Sequence, residues 1–239
     1  MDSYAGIEFN TFTVMARCPR TGMLGTASST RSLAVGARVP IGRSRVGVAA
    51  FQAVADPRMT SLALRLLDLG FHAQKVLMEL ESADPHAGLR QIGVIDSDGN
   101  AAAKTGGRAR DWAGHIVKRN MVAMGNVLTG PHIVQVMADV LDKTPDQPLE
   151  ERLMACLEAA RDAGGQHGGQ RSASILVYDT DPFARVDLRV DVHDEPIGEL
   201  RRVFDIYREF IPYYNERAAN PDIAPLFTWL EQQRSRAGA

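Results

Sequence analysis

The sequence has few of the features that mark metal centres, disulfide scaffolds or cofactor-binding folds. Its two cysteines, Cys18 and Cys156, lie in different segments and form no CxxC pair, which indicates free thiols in a reducing compartment. The six histidines lack the close spacing with one another or with cysteine that a zinc site requires, so we expect no metal. Dinucleotide-binding, P-loop, zinc-protease and serine-hydrolase motifs are also missing, and we expect no cofactor.

The charge balance argues against nucleic acid as a partner, and the short apolar runs argue against a membrane. Lys and Arg number 27 against 29 Asp and Glu, a formal net charge of −2, whereas a nucleic-acid binder usually carries a basic excess gathered into a patch. The N-terminal stretch MDSYAGIEFN has neither the basic region nor the apolar region of a signal peptide. We therefore expect a cytoplasmic protein with no nucleic-acid and no membrane partner.

Hydrophobic patterning predicts two strand-rich blocks, each followed by a pair of helices. A hairpin is predicted over residues 8–16 and 23–30, and a buried third strand over 46–53. Asp56-Pro57 is typical of a helix start, with an N-cap followed by proline at the first helical position. The remaining predicted elements are a helix at 73–82, strands flanking 97–100, a strand at 120–128, helices from 131 and over 149–160, and strands at 172–179 and 186–192.

This order predicts an α+β protein in which two antiparallel sheets face each other with helices outside, because the strict βαβ alternation of a parallel sheet is missing. A chain of 239 residues suffices for one large domain that buries roughly 70% of its unfolded surface. Apolar residues spaced alternately by three and four, from Ile197 to Ile211, predict an amphipathic C-terminal helix. The aromatic-rich remainder is expected to pack on its own domain or on a second copy of the chain.

Polar residues in apolar surroundings provide the candidate site. Asp111 and His115 stand within the segment Asp-Trp-Ala-Gly-His, which is typical either of a pocket wall or of a structural hydrogen-bond cluster. Gln52 and Asn126 come late in apolar strands. Because an unpaired buried amide costs about 1–3 kcal/mol, each of these two side chains needs a hydrogen-bond partner or a pocket.

A set of motifs in this order resembles the family known as domain of unknown function 1028, over roughly residues 10–205. The motifs are NTFTVMARCPRTGMLGTASSTRSLAVGARVP, VGVAAFQAVADP, RQIGVIDSDGN, DWAGH, MGNVLTGP, RSASILV and VDLRVDVHDEPIGELRR. That family is grouped with the N-terminal-nucleophile (Ntn) hydrolases, so the resemblance implies a four-layer αββα sandwich. It divides the chain into a prefix at 1–10, an Ntn hydrolase-like domain at 11–205 and a helical tail at 206–239.

The resemblance also implies which residues do chemistry. Thr11 stands where Ntn hydrolases carry the nucleophile, and the freed α-amine of that residue is the general base. Arg31 stands where related hydrolases orient the nucleophile, and Ser29 stands where they place an acid. Gln52 or its neighbours are expected near the oxyanion position, where one good donor typically contributes about 3 kcal/mol. Ten residues precede Thr11, and while they remain attached its nitrogen is an amide that cannot act as a base.

We therefore expect a hydrolase of a small-molecule amide (C–N) bond, with Thr11 as nucleophile if residues 1–10 are removed. If they stay attached, a pocket of Arg31, Gln52, Asp111, His115 and Asn126 would bind the substrate and activate water, with Ser29 beside it. The alternative is a non-catalytic protein of the same fold that binds a small ligand or serves assembly. We also expect a homo-oligomer, a dimer or larger.

Overall fold

The computed structural model describes residues 10–110 and 112–237 of the chain. The strands are β1 (Thr11–Arg17), β2 (Leu24–Thr30), β3 (Pro40–Arg43), β4 (Gly47–Ala53), β5 (Arg90–Asp96), β6 (Ala101–Thr105), β7 (Gly114–Lys118), β8 (Met121–Asn126), β9 (Ser172–Tyr178) and β10 (Ala184–Val190). The α-helices are α1 (Pro57–Asp68), α2 (Ala73–Ala83), α3 (His132–Lys143), α4 (Leu149–Asp162), α5 (Pro196–Tyr207), α6 (Ile211–Ala219) and α7 (Leu226–Ala237).

These strands form two antiparallel sheets, which confirms the α+β class predicted from the sequence. Within the described residues, one sheet has six strands in the order β10-β9-β2-β1-β8-β7, and the other has four in the order β3-β4-β5-β6. The edge strands β3 and β7 were not predicted. β3 is short and contains proline and glycine, and β7 is largely exposed, so neither carries the apolar signal of a buried strand.

The two sheets share an apolar core built from alternate residues of their strands. Met15 of β1 and Met124 of β8 meet Val48 of β4 and Ile95 of β5 in this core. Gly93 leaves room for the two methionines, because a Cβ there would lie 2.8 Å from the sulfur of Met15. A glycine on one sheet therefore accommodates two flexible methionine side chains of the facing sheet.

Helices cover the other face of each sheet. Phe51 and Ile92 of the four-stranded sheet pack with Leu67 of α1 and Leu80 of α2 in a second apolar cluster. The helices α3 and α4 pack against the six-stranded sheet. The N-cap predicted at Asp56 is confirmed, since its carboxylate accepts a hydrogen bond from the backbone of Arg58 at the start of α1.

The chain divides into two compact units, one ending at Leu200 and one from Arg201 onward. In the second unit the aromatic side chains pack on one another. Tyr213 meets Trp229 edge to face at 5.4 Å between ring centres, and both are buried. Tyr207 stacks on Tyr214 at 5.6 Å. Among the helices of the described residues, none combines the length and apolar character needed to cross a lipid bilayer.

Adjacent glycines after β6 provide a test of how tightly the first unit is packed. A Cβ on Gly106 would lie 2.5 Å from the carbonyl oxygen of Gly88, whereas a Cβ on Gly107 would meet nothing within 4 Å. We expect Gly106→Ala to lower the free energy of unfolding by about 1–3 kcal/mol, as overpacking against backbone does. Gly107→Ala is the matched control and should change it by less than about 0.5 kcal/mol. Urea unfolding of both variants measures the difference, and equal values would contradict the close approach.

Candidate functional site

One end of the layer between the sheets is polar. Residues of a strand alternate between its two faces, so Thr11 and Thr13 lie on the face of β1 that carries Met15 into the core between the sheets. Gln52 of β4 and Gln91 of β5 likewise share a face with core residues of their own strands. The inter-sheet layer therefore changes from apolar side chains to hydroxyls and amides along the strands.

A continuous chain of side-chain hydrogen bonds crosses this polar end. The Thr13 hydroxyl donates to Oε1 of Gln52 at 2.6 Å, so Oγ of Ser28, 2.8 Å from the Thr13 hydroxyl, must be the donor to it. Nε2 of Gln52 donates to Oε1 of Gln91 at 2.7 Å. Nε2 of Gln91 then donates to the Thr105 hydroxyl at 2.9 Å. The chain joins β2 and β1 of one sheet to β4, β5 and β6 of the other.

Gln91 is the centre of this network, and both ends of its amide are occupied. Its Oε1 also accepts a hydrogen bond from Nδ2 of Asn126 at 3.2 Å. Its Nε2 also lies within hydrogen-bond distance of the carbonyl oxygens of Gly114 and Gly125, at 3.0 and 2.8 Å, so its two hydrogens are shared among three acceptors. The Gln91 side chain is fully buried, and these partners offset the cost of removing its amide from water.

Thr11 lies beside the carbonyl group of the residue that precedes it. Its hydroxyl donates to the Thr30 hydroxyl at 3.1 Å, and the Thr30 hydroxyl donates to the carbonyl oxygen of Asn10. The backbone N–H of Arg31 donates to the same carbonyl oxygen at 3.3 Å. Asn10 itself is buried, and its Nδ2 donates to the carbonyl oxygen of His167 at 2.6 Å. The peptide carbonyl before Thr11 is thus held by two donors.

The groups around the Thr11 hydroxyl are neutral. Among the described residues, its side chain bonds to Thr30, and its carbonyl oxygen accepts a bond from Nε2 of Gln52 at 3.4 Å. Its nitrogen belongs to the peptide bond with Asn10. With the chain intact, none of these groups can take the hydroxyl proton at neutral pH.

A cavity of about 380 Å³ opens beside Thr11. Arg38 is the only ionisable side chain among the described residues that line it, and no described residue pairs with its guanidinium. The cavity therefore favours ligands that carry negative charge or hydrogen-bond acceptors. It is lined by Thr11, Thr30, Ser32, Leu33, Val35, Arg38, Val39, Gln52, Ala53, Ala55 and Pro57.

The residues that directly follow Gln52 and Asn126 have strained backbone conformations. Ala53 directly follows Gln52 with φ of 67°, and Val127 directly follows Asn126 with φ of 54°. Positive φ is unfavourable for residues with a side chain, and for a β-branched residue it is a genuine outlier. Such strain persists only where the surrounding structure imposes it, and it concentrates at functional sites.

The structure brings three of the residues predicted from the sequence to the polar end of the inter-sheet layer, namely Thr11, Gln52 and Asn126. Thr11 and Asn126 are opposite each other on neighbouring strands. Arg31 contributes its backbone N–H to the Asn10 carbonyl, while its exposed side chain lies against Gly168. Both amide hydrogens of Gln52 are donated within the protein, to the carbonyl oxygen of Thr11 and to Oε1 of Gln91.

Two further predicted residues, Ser29 and His115, do not line the cavity beside Thr11. Ser29 lies on the opposite face of β2 from Thr30, and its hydroxyl donates to the carbonyl oxygen of Ser172 at 2.9 Å. His115 lies on β7 with its residue surface exposed, and Nδ1 is 2.8 Å from the Thr105 hydroxyl. Desolvation of part of the ring lowers the pKa of His115. Asp111 lies outside the described residues.

Sequence reasoning missed several residues that form the site. Thr13 and Gln91 continue the alternation of the core residues on their strands, so the same alternation that predicts the core could have found them. Thr30 could have been found in the same way on β2. Arg38 and Asn10 gave no signal, because both lie outside the strands whose alternation hydrophobic patterning describes.

Comparison with known proteins places the chain among proteins of unknown function. The model of a family described as "Family of unknown function (DUF1028)" matches residues 11–200. The crystal structure of protein SPO2555 from Silicibacter pomeroyi, of the same family model, is 34% identical with a TM-score of 0.77, covering 83% of this chain and 89% of that one. No curated protein matches the chain.

A more distant structure, Anbu (ancestral beta-subunit) from Yersinia bercovieri, is 12% identical with a TM-score of 0.41. That comparison covers 90% of this chain and 99% of that one. Similarity at this level supports no inference about the chain.

The network predicts that Gln91 holds the two sheets together. Gln91→Leu would leave buried donors on Gln52 and Asn126 and two backbone carbonyls without their partner. Because each orphaned group costs about 1–3 kcal/mol, we expect the free energy of unfolding to fall by about 3 kcal/mol or more. Gln135→Leu on the exposed face of α3 is the control and should change it by less than about 0.5 kcal/mol. Chemical denaturation measures both, and similar values would show that the network is dispensable.

Proposed function

This chain belongs to the DUF1028 family, and we propose that it hydrolyses the amide (C–N) bond of a small molecule with Thr11 as nucleophile once residues 1–10 are removed. One observation carries the proposal: the carbonyl oxygen of Asn10, next to the Thr11 hydroxyl, accepts hydrogen bonds from Thr30 and from the backbone of Arg31. Two donors on one carbonyl oxygen are what an oxyanion hole provides for acyl transfer.

The arrangement of helices and sheets supports the same proposal. Two helices pack on the outer face of each of the two sheets, which share a core between them. We take this to be the four-layer αββα sandwich of the Ntn hydrolases. In Ntn hydrolases the nucleophile is the first residue of the first strand, and Thr11 begins β1, which lies between β2 and β8.

The same geometry suits cleavage of the chain before Thr11. The Thr11 hydroxyl attacks the carbonyl carbon of Asn10, and charge that develops on the carbonyl oxygen is stabilised by Thr30 and Arg31. In the tetrahedral adduct that forms, the nitrogen of Thr11 is no longer an amide, so it takes up the hydroxyl proton as its bond to the carbonyl carbon of Asn10 breaks. An ester to Oγ1 of Thr11 remains, and water hydrolyses it. The α-amine of Thr11 is then free.

With its α-amine free, Thr11 has the base that the intact chain lacks. An amine with an ordinary pKa near 8 accepts the hydroxyl proton at neutral pH. The hydroxyl oxygen then attacks the substrate amide, whose carbonyl takes the place left by Asn10 against the same two donors. The amine half leaves with a proton, and water releases the acyl half from Thr11. Arg38 at the cavity wall favours a substrate with negative charge.

A second candidate function is binding of a small ligand without catalysis. The neutral surroundings of the Thr11 hydroxyl favour it, because no described residue that bonds to Thr11 is ionisable. If the prefix stays attached and the protein still hydrolyses amides, the pocket must instead activate water. Whether the peptide bond before Thr11 is cleaved distinguishes the proposed function from both of these alternatives.

Intact-mass spectrometry of the purified chain tests the proposal. We expect a species that begins at Thr11 and that releases amine from N-acylated amino acids, detected with a fluorogenic amine reagent. Thr11→Ala should remain full length and inactive, because no hydroxyl is present to attack. Thr180→Ala, an exposed threonine outside the site, should behave as the wild type.

Two results would overturn the role of Thr11. Hydrolysis by a full-length chain that survives Thr11→Ala would assign the reaction to activated water. A full-length chain that binds small ligands without hydrolysing any amide would favour the binding protein.

A further inference from the structure

A second, smaller cavity adjoins the one beside Thr11, and Ala53 lines both. We propose that it binds the amine half of the substrate, an N–H donor one carbon away from a carboxylate, so that the substrate class is an N-acylated α-amino acid. This inference rests on the proposed function. With a volume of about 80 Å³, the cavity has room for a group of only a few heavy atoms. Its lining residues are Ala53, Val54, Leu89, Arg108, Ala109, Arg110 and Asn126.

Asn126 supplies an acceptor for the N–H group. Its side chain is buried, and among the described residues Oδ1 has no hydrogen-bond partner. Nδ2 donates to Oε1 of Gln91. A flip of the Asn126 amide would place its Oδ1 against Oε1 of Gln91, and both atoms are acceptors. The orientation of the Asn126 amide is therefore fixed. Because an unpaired buried acceptor is costly, an N–H donor in the cavity gains a hydrogen bond that the protein alone does not satisfy.

Arg108 supplies the positive charge for the carboxylate. Its side chain is exposed at the cavity, and no described residue pairs with its guanidinium. No acidic side chain occurs among the described residues that line this cavity. A planar guanidinium binds a carboxylate through two parallel hydrogen bonds. A ligand with a neutral amide instead of the carboxylate cannot form this pair.

The backbone fixes the loop that carries Arg108. The N–H of Arg108 donates to the carbonyl oxygen of Gly88 at 2.7 Å, and the N–H of Val127 donates to that of Arg110 at 3.1 Å. Gly88 also leaves space for the guanidinium, since a Cβ there would lie 3.2 Å from Nε of Arg108. The cavity is thus built by the fold before any ligand enters.

The position of Asn126 relative to Thr11 decides which half of the substrate enters this cavity. The two residues are direct partners on β1 and β8, and the Cβ atoms of such partners lie about 4.5–5.5 Å apart. An amide whose carbonyl carbon is next to the Thr11 hydroxyl can therefore direct its N–H to Oδ1 of Asn126. In an N-acylated α-amino acid the carboxylate follows one carbon later, on the side of Arg108.

Glycine is a probe of this cavity that does not depend on catalysis, because it contains the N–H donor and the carboxylate but no amide bond. We expect NMR titration of the purified protein to show that glycine binds more tightly than acetate, which lacks the N–H, and glycinamide, which lacks the carboxylate. Arg108→Gln should raise the dissociation constant for glycine about tenfold, the equivalent of about 1.4 kcal/mol. Arg119→Gln is the matched control, since Arg119 is exposed at the opposite end of β8, and should leave it unchanged.

Equal binding of glycine and glycinamide, or glycine binding that Arg108→Gln does not weaken, would overturn the proposed cavity. Thermal unfolding of Arg108→Gln checks that the variant is folded, and Arg108→Lys should recover part of the affinity by restoring the charge. Glycine binding through Arg108 in a protein that hydrolyses no amide would refute the proposed function and leave the cavity as a ligand site. Amide hydrolysis without Arg108-dependent glycine binding would refute the role proposed for this cavity and leave the proposed hydrolase function standing.

Discussion

The buried amide of Gln91 is the interaction on which the site depends. It joins Gln52 of its own sheet to Asn126 of the facing sheet, and it also holds two backbone carbonyls. Polar side chains between two sheets destabilise a protein unless each donor and acceptor is satisfied. By accepting hydrogen bonds from Nε2 of Gln52 and Nδ2 of Asn126, Gln91 allows the layer between the sheets to be apolar at one end and hydrogen bonded at the other. The polar end is where Thr11 lies.

This rigid support explains why the chain can carry strained backbone at the site. Ala53 and Val127 hold positive φ at the ends of β4 and β8, directly after two amides that the network fixes. The strain costs free energy of order 1–3 kcal/mol at each position, and the hydrogen bonds of Gln52 and Asn126 resist its relief. Because Ala53 lines both cavities, its conformation sets the wall that the two cavities share.

Sequence reasoning predicts most of this fold because alternation and helical spacing record which face of an element is buried. It fails at the edges, as for β7, where exposure removes the apolar signal. In the site, Gln52 and Asn126 are predictable as amides late in apolar strands, whereas the contact of each with Gln91 joins segments more than thirty residues apart and leaves no local pattern. Ser29 shows the opposite failure, since a motif resemblance does not say which face a residue occupies, and a shift of one position along a strand reverses that face.

The number of hydrogens on the Gln52 amide limits which groups could stabilise an oxyanion at this site. An amide nitrogen has two hydrogens. Nε2 of Gln52 donates one to Oε1 of Gln91 and the other to the carbonyl oxygen of Thr11. The role expected for Gln52 from the resemblance would therefore require breaking a buried bond. The Thr30 hydroxyl and the Arg31 backbone already direct donors to the carbonyl before Thr11. The proposed reaction at Thr11 needs no rearrangement if these two act, and Gln52 then serves by fixing the strand that begins with Thr11.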